Sequence, residues 1–405
     1  MIRSCLPVCL AVAIVVTGCA ISPTPPPVPE NPAATVGAPA EAGCTSMPNV
    51  ELPDRGLLTD PAESVSAYLD AGGEPSALAA LLYERGWVSP VSKVVWSDMD
   101  GDGHLDFSAG LISGAEDQGT GSVFLWRCRD GRFERAEIAP AMEGFGPPAL
   151  HDTRDLTADR IPEAIIAYPR CGAHTCFARY AVLRWDGARM VDSIQGATDD
   201  IPTPELAVES DDPTKPAAIR ITAGDIGSVG AGPHRVWWRI WTWHADGQIF
   251  VPGEPQFEAP RYRIHALHDA DDAYRRSDRA TALVLYQRVI ADDDLLDWPA
   301  PGDRRAELSA YAAFRRVHAF LASGDPAAAQ AELDGHLAAA DPTTAAYAEL
   351  ARRLITGASD GAFDDGCAAA TSFVADNADA VLAPLEFGYA NRAYAAEDIC
   401  PMLGP

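Results

Sequence analysis

Lysine is nearly absent from this sequence of 405 residues: Lys93 and Lys215 are the only two, so arginine carries almost all of the positive charge. Acidic side chains outnumber basic ones by 58 to 31, which leaves a formal net charge of −27. A surface of this sign repels phosphate groups, so it disfavours nucleic-acid binding and adhesion to anionic lipid. The charge instead favours metal cations and basic partners.

Recognisable catalytic motifs are also missing. The sequence has no nucleophile elbow, HExxH motif, P-loop or cysteine–histidine dyad. Its histidines are scattered, and although His265 and His268 would share one helix face, no third metal ligand accompanies them. Acidic pairs are so frequent that no single one stands out as a glycosidase-type pair. We therefore predict a non-enzymatic protein, and a hydrolase with an unrecognised acidic site is the enzymatic alternative.

The apolar run at the start of the chain, from Leu6 to Val16, is too short for a settled transmembrane helix. It follows a lone charge, Arg3, as in a secretory signal. The run ends in Val16-Thr17-Gly18-Cys19, which resembles the lipobox of bacterial lipoproteins. That resemblance implies cleavage before Cys19, acylation of that residue with chains such as palmitate, and an extracytoplasmic envelope protein, in the outer membrane if the host is diderm. Ordinary signal cleavage beside an incidental cysteine is the alternative.

Six further cysteines follow, and an even number in an oxidising compartment favours disulfides. They are Cys44, Cys128, Cys171, Cys176, Cys367 and Cys400. Cys171 and Cys176 would close a short loop; the alternative, a metal site that also uses His174, lacks a fourth ligand. By region, Cys367 pairs with Cys400 and Cys44 with Cys128, although six cysteines allow fifteen connectivities.

Three similar β segments recur between residues 90 and 260. In each, a strand-like run ends at an Asp-Gly pair, which is typical of a tight hairpin. The pairs are Asp130-Gly131, Asp186-Gly187 and Asp246-Gly247. A second element lies upstream of each hairpin and opens with an acid, Asp98, Asp155 or Asp212, at equal spacing. Such a period predicts a repeat architecture in which each sheet packs on the next.

The first of these upstream elements is rich in carboxylates, and they are Asp98, Asp100, Asp102 and Asp106. With glycine at position 6 and the carbonyl of His104 at position 7, their oxygens can converge on one hard cation. The loop is not an EF-hand, because its flanks are strand-like and position 12 is Ala109 instead of glutamate. A solvated turn without metal is the alternative, but four carboxylates so close together would repel one another strongly.

A β-flanked loop of this pattern is similar to the calcium loop of FG-GAP and related VCBS repeats, which form blades of integrin-type β-propellers. The resemblance implies one Ca²⁺ ion. In the second copy, Asp155–Glu163, Thr157 replaces a carboxylate and Arg160 replaces the glycine, so we expect weak or absent metal and a charge supplied by Arg160 itself. In the third copy only Asp212 remains.

Three repeats fall short of the four to eight blades of a closed propeller. We therefore expect a three-sheet, propeller-like array. Its open edges would be covered by short helices within Pro61–Tyr68 and Ser76–Arg85 or by the C-terminal part of the chain.

The strand Arg235–His244 places Trp237, Trp241 and Trp243 on one face. An exposed row of tryptophans can stack on sugar rings, whereas core packing is their default role. A carbohydrate-binding surface protein is accordingly the second functional hypothesis.

The periodicity becomes helical after residue 260, with small and aromatic residues placed as in degenerate tetratricopeptide repeats. These residues are Ala266, Ala270, Ala273, Ser277, Ala282, Tyr286, Val289 and Ile290, then Ala313, Val317, Phe320, Gly324, Ala329 and Leu333, and more faintly Ala369 and Phe373. An alanine-rich helical bundle is the alternative. Helical-hairpin arrays present a concave face to a peptide or protein.

The sequence thus predicts a multidomain β-then-α protein. Residues 1–18 form the signal, a proline-rich stalk spans 19–43, a β-repeat domain with short N-terminal helices spans 44–260, and a helical domain spans 261–405. The leading functional hypothesis is a lipid-anchored, calcium-stabilised module that binds an unidentified envelope or extracellular protein.

Overall fold

The computed structural model describes residues 44, 50–53, 60–113, 120–299, 304–338, 344–360 and 363–401. All of them belong to one compact unit, Ala42–Pro405. The expected signal segment, the lipidation site Cys19 and the stalk lie outside the described residues. None of the helices in the described ranges combines the length and the apolar character that a membrane span requires.

The chain passes from two short helices through three antiparallel sheets into a helical C-terminal part. The first helices are α1 (Pro61–Asp70) and α2 (Pro75–Glu84). The strands are β1 (Val94–Ser97), β2 (Asp106–Ser113), β3 (Thr120–Arg129), β4 (Arg132–Ala139), β5 (Ala149–Arg154), β6 (Glu163–Cys171), β7 (Cys176–Trp185), β8 (Met190–Asp192), β9 (Glu205–Glu209), β10 (Ala218–Thr222), β11 (Trp237–His244), β12 (Ile249–Pro252) and β13 (Gln256–Phe257). The later helices are α3 (Arg263–Arg275), α4 (Arg279–Ala291), α5 (Arg304–Ala322), α6 (Pro326–Glu332), α7 (Ala345–Asp360), α8 (Phe363–Asp376), α9 (Ala378–Val381) and α10 (Ala396–Ile399). The predicted order, a β part followed by an α part, is confirmed.

Each sheet is an antiparallel meander. The orders are β1-β2-β3-β4, β5-β6-β7-β8 and β12-β11-β10-β9, with β13 beside β11 in the third. An Asp-Gly pair connects β3 to β4, β7 to β8 and β11 to β12. In the first of these turns Asp130 and Gly131 both have positive φ, at 50° and 75°, as a two-residue type I′ turn requires. Within the described ranges no sheet closes on itself.

Helices α1 and α2 cover the outer side of the first sheet. Trp126 of β3 is fully buried there, with its ring 5.3 Å from that of Phe107. Its indole Nε1 donates to the hydroxyl of Ser66 on α1 at 2.9 Å. The N-terminal helices therefore protect an apolar sheet surface that water would otherwise reach.

Two more apolar cores lie between successive sheets. Leu125 of the first sheet and Leu183 of the second belong to one core, and Val182 and Trp241 belong to the core between the second and third sheets. Because the second sheet is covered on both faces, β6 begins with a continuous buried run, Glu163–Ile166, in place of an alternating pattern.

Three cysteine pairs cross-link the described unit. Cys44–Cys128 ties the segment before α1 to β3, Cys171–Cys176 joins the paired ends of β6 and β7, and Cys367–Cys400 ties α8 to the end of α10. These are the pairings favoured by region in the sequence. Each restricts the unfolded chain and so stabilises the fold.

The helical part packs as consecutive pairs, α3 with α4, α5 with α6 and α7 with α8. A buried polar network fixes the C-terminal segment against it. The guanidinium of Arg315 lies 3.2 Å from the carboxylate of Asp271 and donates to the hydroxyl of Tyr286 and the carbonyl of Ile399, each at 3.0 Å. The hydroxyl of Tyr394 donates to Asp271 at 2.7 Å. Since every member has a partner, the network can position residues 387–401 without leaving a buried charge uncompensated.

Candidate functional site

The acidic segment Asp98–Asp106 forms the turn between β1 and β2. Gly101 and Gly103 shape it with φ values of 76° and 90°, in the left-handed region that favours glycine. The backbone N–H groups of Gly101, Asp102 and Gly103 consequently face inward and donate to the carboxylate of Asp98 at 2.8, 3.1 and 2.9 Å. The loop is thus built around its first carboxylate.

Three of the predicted ligands are brought together. One oxygen each from Asp98, Asp100 and Asp106 lies within 4.8 Å of the others. Two oxygens that bind the same Ca²⁺ ion at about 2.4 Å can be at most about 4.8 Å apart, so the spacing fits one hard cation. Asp102 and the ring of His104 are outside this set, and a carboxylate oxygen of Asp102 instead accepts from the backbone N–H of His104 at 2.8 Å.

Asp106 is the buried member of the set. Its two oxygens accept from the backbone N–H groups of Met99 and Cys128, at 2.9 and 2.8 Å. Burial nevertheless raises the pKa of Asp106 to about 7, and the negative charges of Asp100 and Asp102 add to the effect. Near neutral pH this carboxyl therefore either keeps its proton or needs a nearby cation.

One arginine already faces the loop. Arg127 of β3 lies 3.2 Å from Asp100 and 3.0 Å from Glu134, and it stacks at 4.7 Å on the ring of Trp185 in the second sheet. Burial raises the pKa of Asp100, while Arg127 acts to lower it. A single guanidinium cannot balance three converging carboxylates, so the set retains a demand for positive charge when ionised.

The second loop, between β5 and β6, repeats the hydrogen bonds of the first position by position. Asp155 accepts from the N–H groups of Ala158 and Arg160 at 2.7 and 2.9 Å, and Glu163 accepts from that of Leu156 at 2.6 Å. Ala158 and Arg160 hold the left-handed φ values, 64° and 76°, that glycines hold in the first loop. The two segments are therefore copies in backbone as well as in sequence.

The chemistry of the second loop differs. Thr157 donates its hydroxyl to Glu163 at 3.1 Å, and burial raises the pKa of Glu163 to about 7. The side chain of Arg160 is exposed and forms no ion pair with any described residue. The expectation that Arg160 supplies the positive charge of a cation in this loop is therefore wrong. In the third copy Asp212 only closes a local turn with Thr214 and lies 3.4 Å from Lys215.

The tryptophans of β11 do not form an exposed row. Trp241 is fully buried and its indole donates to the carbonyl of Gln195 at 2.9 Å. Trp243 packs on Phe250, with ring centres 5.0 Å apart. Trp241 belongs to the core between the second and third sheets, and Trp237 and Trp243 pack against it, so core packing, the default role, holds in place of a three-tryptophan ligand face. Of the three, Trp237 also lines an open space.

That space is a cleft of about 420 Å³ between the third sheet and the helical part. His265 and His268, which share a face of α3, line it together with residues 389–392. The shared helix face and Trp237 were the signals of this cleft in the sequence, whereas segment 389–392 shows no periodicity and is brought there by tertiary contacts.

No protein-family model, curated protein or solved structure matches the chain. Its function is therefore argued from its own residues.

Proposed function

We propose that this protein is a non-enzymatic lipoprotein, anchored outside the cytoplasm through Cys19, whose β part is a calcium-stabilised binding module. The anchor rests on the lipobox-like Val16–Cys19 and the apolar run before it. The proline-rich residues 19–43 would hold the folded unit away from the membrane.

The observation that carries the calcium proposal is the convergence of Asp98, Asp100 and Asp106 within 4.8 Å. Bound Ca²⁺ would supply positive charge to three carboxylates that have one guanidinium between them. It would hold the β1–β2 turn in place beside the second loop, where Ile161 lies so near Gly101 that a side chain at that position would meet it. Calcium is thus assigned a structural role and no reaction.

For the finer architecture we propose an open, propeller-like array of three FG-GAP-like blades, followed by degenerate tetratricopeptide-like hairpins. The three meanders, their repeated acidic loops and the inter-sheet cores support the first part. The consecutive pairing of α3 to α8 supports the second. Both repeat types build extended surfaces for partners, so we propose an envelope or extracellular protein as the partner.

The calcium proposal is tested by thermal unfolding of the full chain in detergent, first in EDTA and then in millimolar Ca²⁺. A ligand at 100 times its Kd stabilises the folded state by about 2.7 kcal/mol, which corresponds to a rise of several degrees in Tm. We expect this rise in the wild type and a clearly smaller rise in Asp100→Asn, which keeps the side-chain shape and an oxygen ligand but removes the charge.

The matched control is Asp159→Asn, which removes a carboxylate from the second loop and should leave the calcium response intact. An equal response in Asp100→Asn and the wild type, or no response in the wild type, would contradict the proposal. The anchor is tested separately by Cys19→Ser, which should move the protein from the membrane fraction to the soluble fraction. Partner binding predicts that a specific envelope protein co-purifies after crosslinking in cells.

A further inference from the structure

The cleft between the third sheet and the helical part is built from elements far apart in the sequence. Strands β11 and β13, helix α3 and residues 389–392 line it, together with Phe177, Asp200 and Pro202. A pre-formed cleft of a few hundred cubic ångströms with convergent polar groups is a common form of ligand site.

Its rim carries exposed aromatic rings. Phe257 is 49% exposed and Tyr389 is 66% exposed, which places both among the few large apolar side chains of the described residues that face water. The ring of Trp237 lies 6.2 Å from that of Phe257, tilted by 37°. Apolar area left in water costs free energy that a flat, partly apolar ligand would recover by stacking.

Planar hydrogen-bonding side chains also line the cleft. Arg235 forms a bidentate ion pair with Asp269, with N–O distances of 2.6 and 3.0 Å, and Arg392 donates to Asp272 at 2.5 Å. Two nitrogens of the lining, Nε2 of His268 and the Nη1 atom of Arg392, are shielded from solvent and have no hydrogen-bond partner among the described residues. An unpaired buried nitrogen is unfavourable, so these atoms favour a ligand whose groups can hydrogen-bond to them.

The charges of the lining exclude several ligand classes. Its carboxylates, Asp200, Asp269 and Asp272, outnumber its two guanidiniums, so an anion gains no net attraction. Burial lowers the pKa of His265 to about 4 and that of His268 well below its usual value, so neither adds positive charge. No three ligand-type groups of the described lining approach closely enough to hold a metal ion. A neutral molecule rich in hydrogen-bonding groups fits best.

The wall formed by residues 389–392 is fixed in place. The backbone N–H groups of Tyr389 and Ala390 donate to the carbonyls of Gly230 and Ala231 at 3.2 and 3.1 Å. The amide of Asn391 donates to the carbonyl of Pro233 at 3.1 Å. A ligand would therefore meet a wall already ordered, which lowers the entropic cost of binding.

We propose that this cleft binds a neutral carbohydrate, with a sugar ring stacked on Phe257 and Tyr389 and its hydroxyls bonded to His268, Arg392 and Asp272. A pyranose ring has one face of C–H groups, which matches the exposed aromatic rings. Its edge of hydroxyls can both donate and accept, which matches the polar side chains of the lining. The site goes beyond the protein-binding role proposed above and uses no residue of the calcium loop, so either proposal can fail alone.

The test is isothermal titration calorimetry of the full chain in a detergent without a sugar headgroup. The probes are neutral tetrasaccharides of glucose, N-acetylglucosamine and mannose, with tetragalacturonate as the acidic comparison, each in Ca²⁺ and in EDTA. We expect at least one neutral probe to bind and Phe257→Ala to weaken that binding by about tenfold or more. His268→Gln should weaken it as well, at an unchanged Tm.

The matched control is Tyr83→Ala, which removes an aromatic ring of similar exposure, 43%, from α2, outside the cleft lining, and should leave the affinity unchanged. Phe257 is half exposed, so its truncation should not unfold the chain. Three results would each overturn the proposal: no binding of any neutral probe, binding of tetragalacturonate alone, or equal affinity in the wild type and Phe257→Ala. Loss of the calcium response with sugar binding retained would refute only the calcium proposal.

Discussion

In the first acidic loop the carboxylate of Asp98 accepts N–H bonds from residues three and five positions ahead, and Asp155 does the same in the second. The last acid of each loop, Asp106 or Glu163, bonds back to the residue after the first acid. What differs is the middle, where the first loop has a third converging carboxylate and the second has Thr157. The comparison teaches that the two loops share one backbone hydrogen-bond pattern and that the first differs from the second by one added carboxylate at the third position.

The largest expected effect comes from removing the last acid of each loop. Asp106→Ala leaves the N–H groups of Met99 and Cys128 without their acceptor, so we expect a loss of about 2–4 kcal/mol in the free energy of unfolding. Glu163→Ala frees only one backbone N–H, that of Leu156, and should cost about 1–3 kcal/mol. Urea unfolding in EDTA measures both. A loss no greater than that of exposed Asp159→Ala would show that these bonds do not hold the loops.

The pH dependence of stability should separate the loops next. The pKa values of Asp106 and Glu163 are raised to about 7 in the folded state from ordinary values near 4, so the folded chain binds protons more tightly. Stability should therefore fall as pH rises from about 4 to about 7 in EDTA, by about 1.4 kcal/mol per pH unit for each group within that window.

Calcium should reverse only the contribution of the first loop, because the cation stabilises the ionised form of Asp106. Tm measured between about pH 5 and pH 8 tests this. Asp106→Asn should remove the part of the pH dependence of Tm that comes from the first loop, and Glu163→Gln the part that comes from the second. A slope unchanged in both variants would show that these carboxyls are not the groups that titrate.

A smaller effect is expected at the sixth position of each loop, where the backbone is left-handed. Gly103→Ala adds a side chain at a φ of 90° with no neighbour within 4 Å, so its cost of about 1 kcal/mol is a backbone cost. Arg160→Gly relieves the same strain and should add stability of up to about 1 kcal/mol. Chemical denaturation measures the free energy of unfolding of both variants. Changes of the same sign in the two variants would show that the two positions are not equivalent.

The smallest expected effect is a gain of metal by the second loop. Thr157→Asp combined with Arg160→Gly restores the pattern of the first loop, so calcium stoichiometry by equilibrium dialysis should rise from one to two per chain. The variant also loses the hydroxyl bond from Thr157 to Glu163, so part of the additional calcium-induced rise in Tm only offsets that loss and the net gain should be small. Stoichiometry that stays at one would mean that the middle residues do not decide metal binding.

The meanders were predictable because their signals are local. An Asp-Gly pair between strand-like runs specifies a two-residue turn through the positive φ of Gly131, whatever surrounds it. The same holds for the acidic loop, whose carboxylates lie within nine residues of one another. It also holds for the helices, because their apolar residues recur at helical spacing along the sequence.

Other features could not be predicted because they depend on distant contacts. The spacing of Trp241 and Trp243 gives the face of the strand but not whether another sheet covers it. The ion pair of Arg127 with Asp100 and its stack on Trp185 join the first and second sheets, so no window of sequence contains it. The exposed position of Arg160 likewise follows from its backbone angle and surroundings.

The sequence by itself determined the order of elements, the three repeats, the turn chemistry and the local clustering of carboxylates, because each depends on residues a few positions apart. Only the tertiary structure decided which faces are buried, which acids converge with a raised pKa, and that β11, α3 and residues 389–392 enclose a cleft. Burial and long-range hydrogen bonds set these properties, and both depend on which segments meet after the chain has folded.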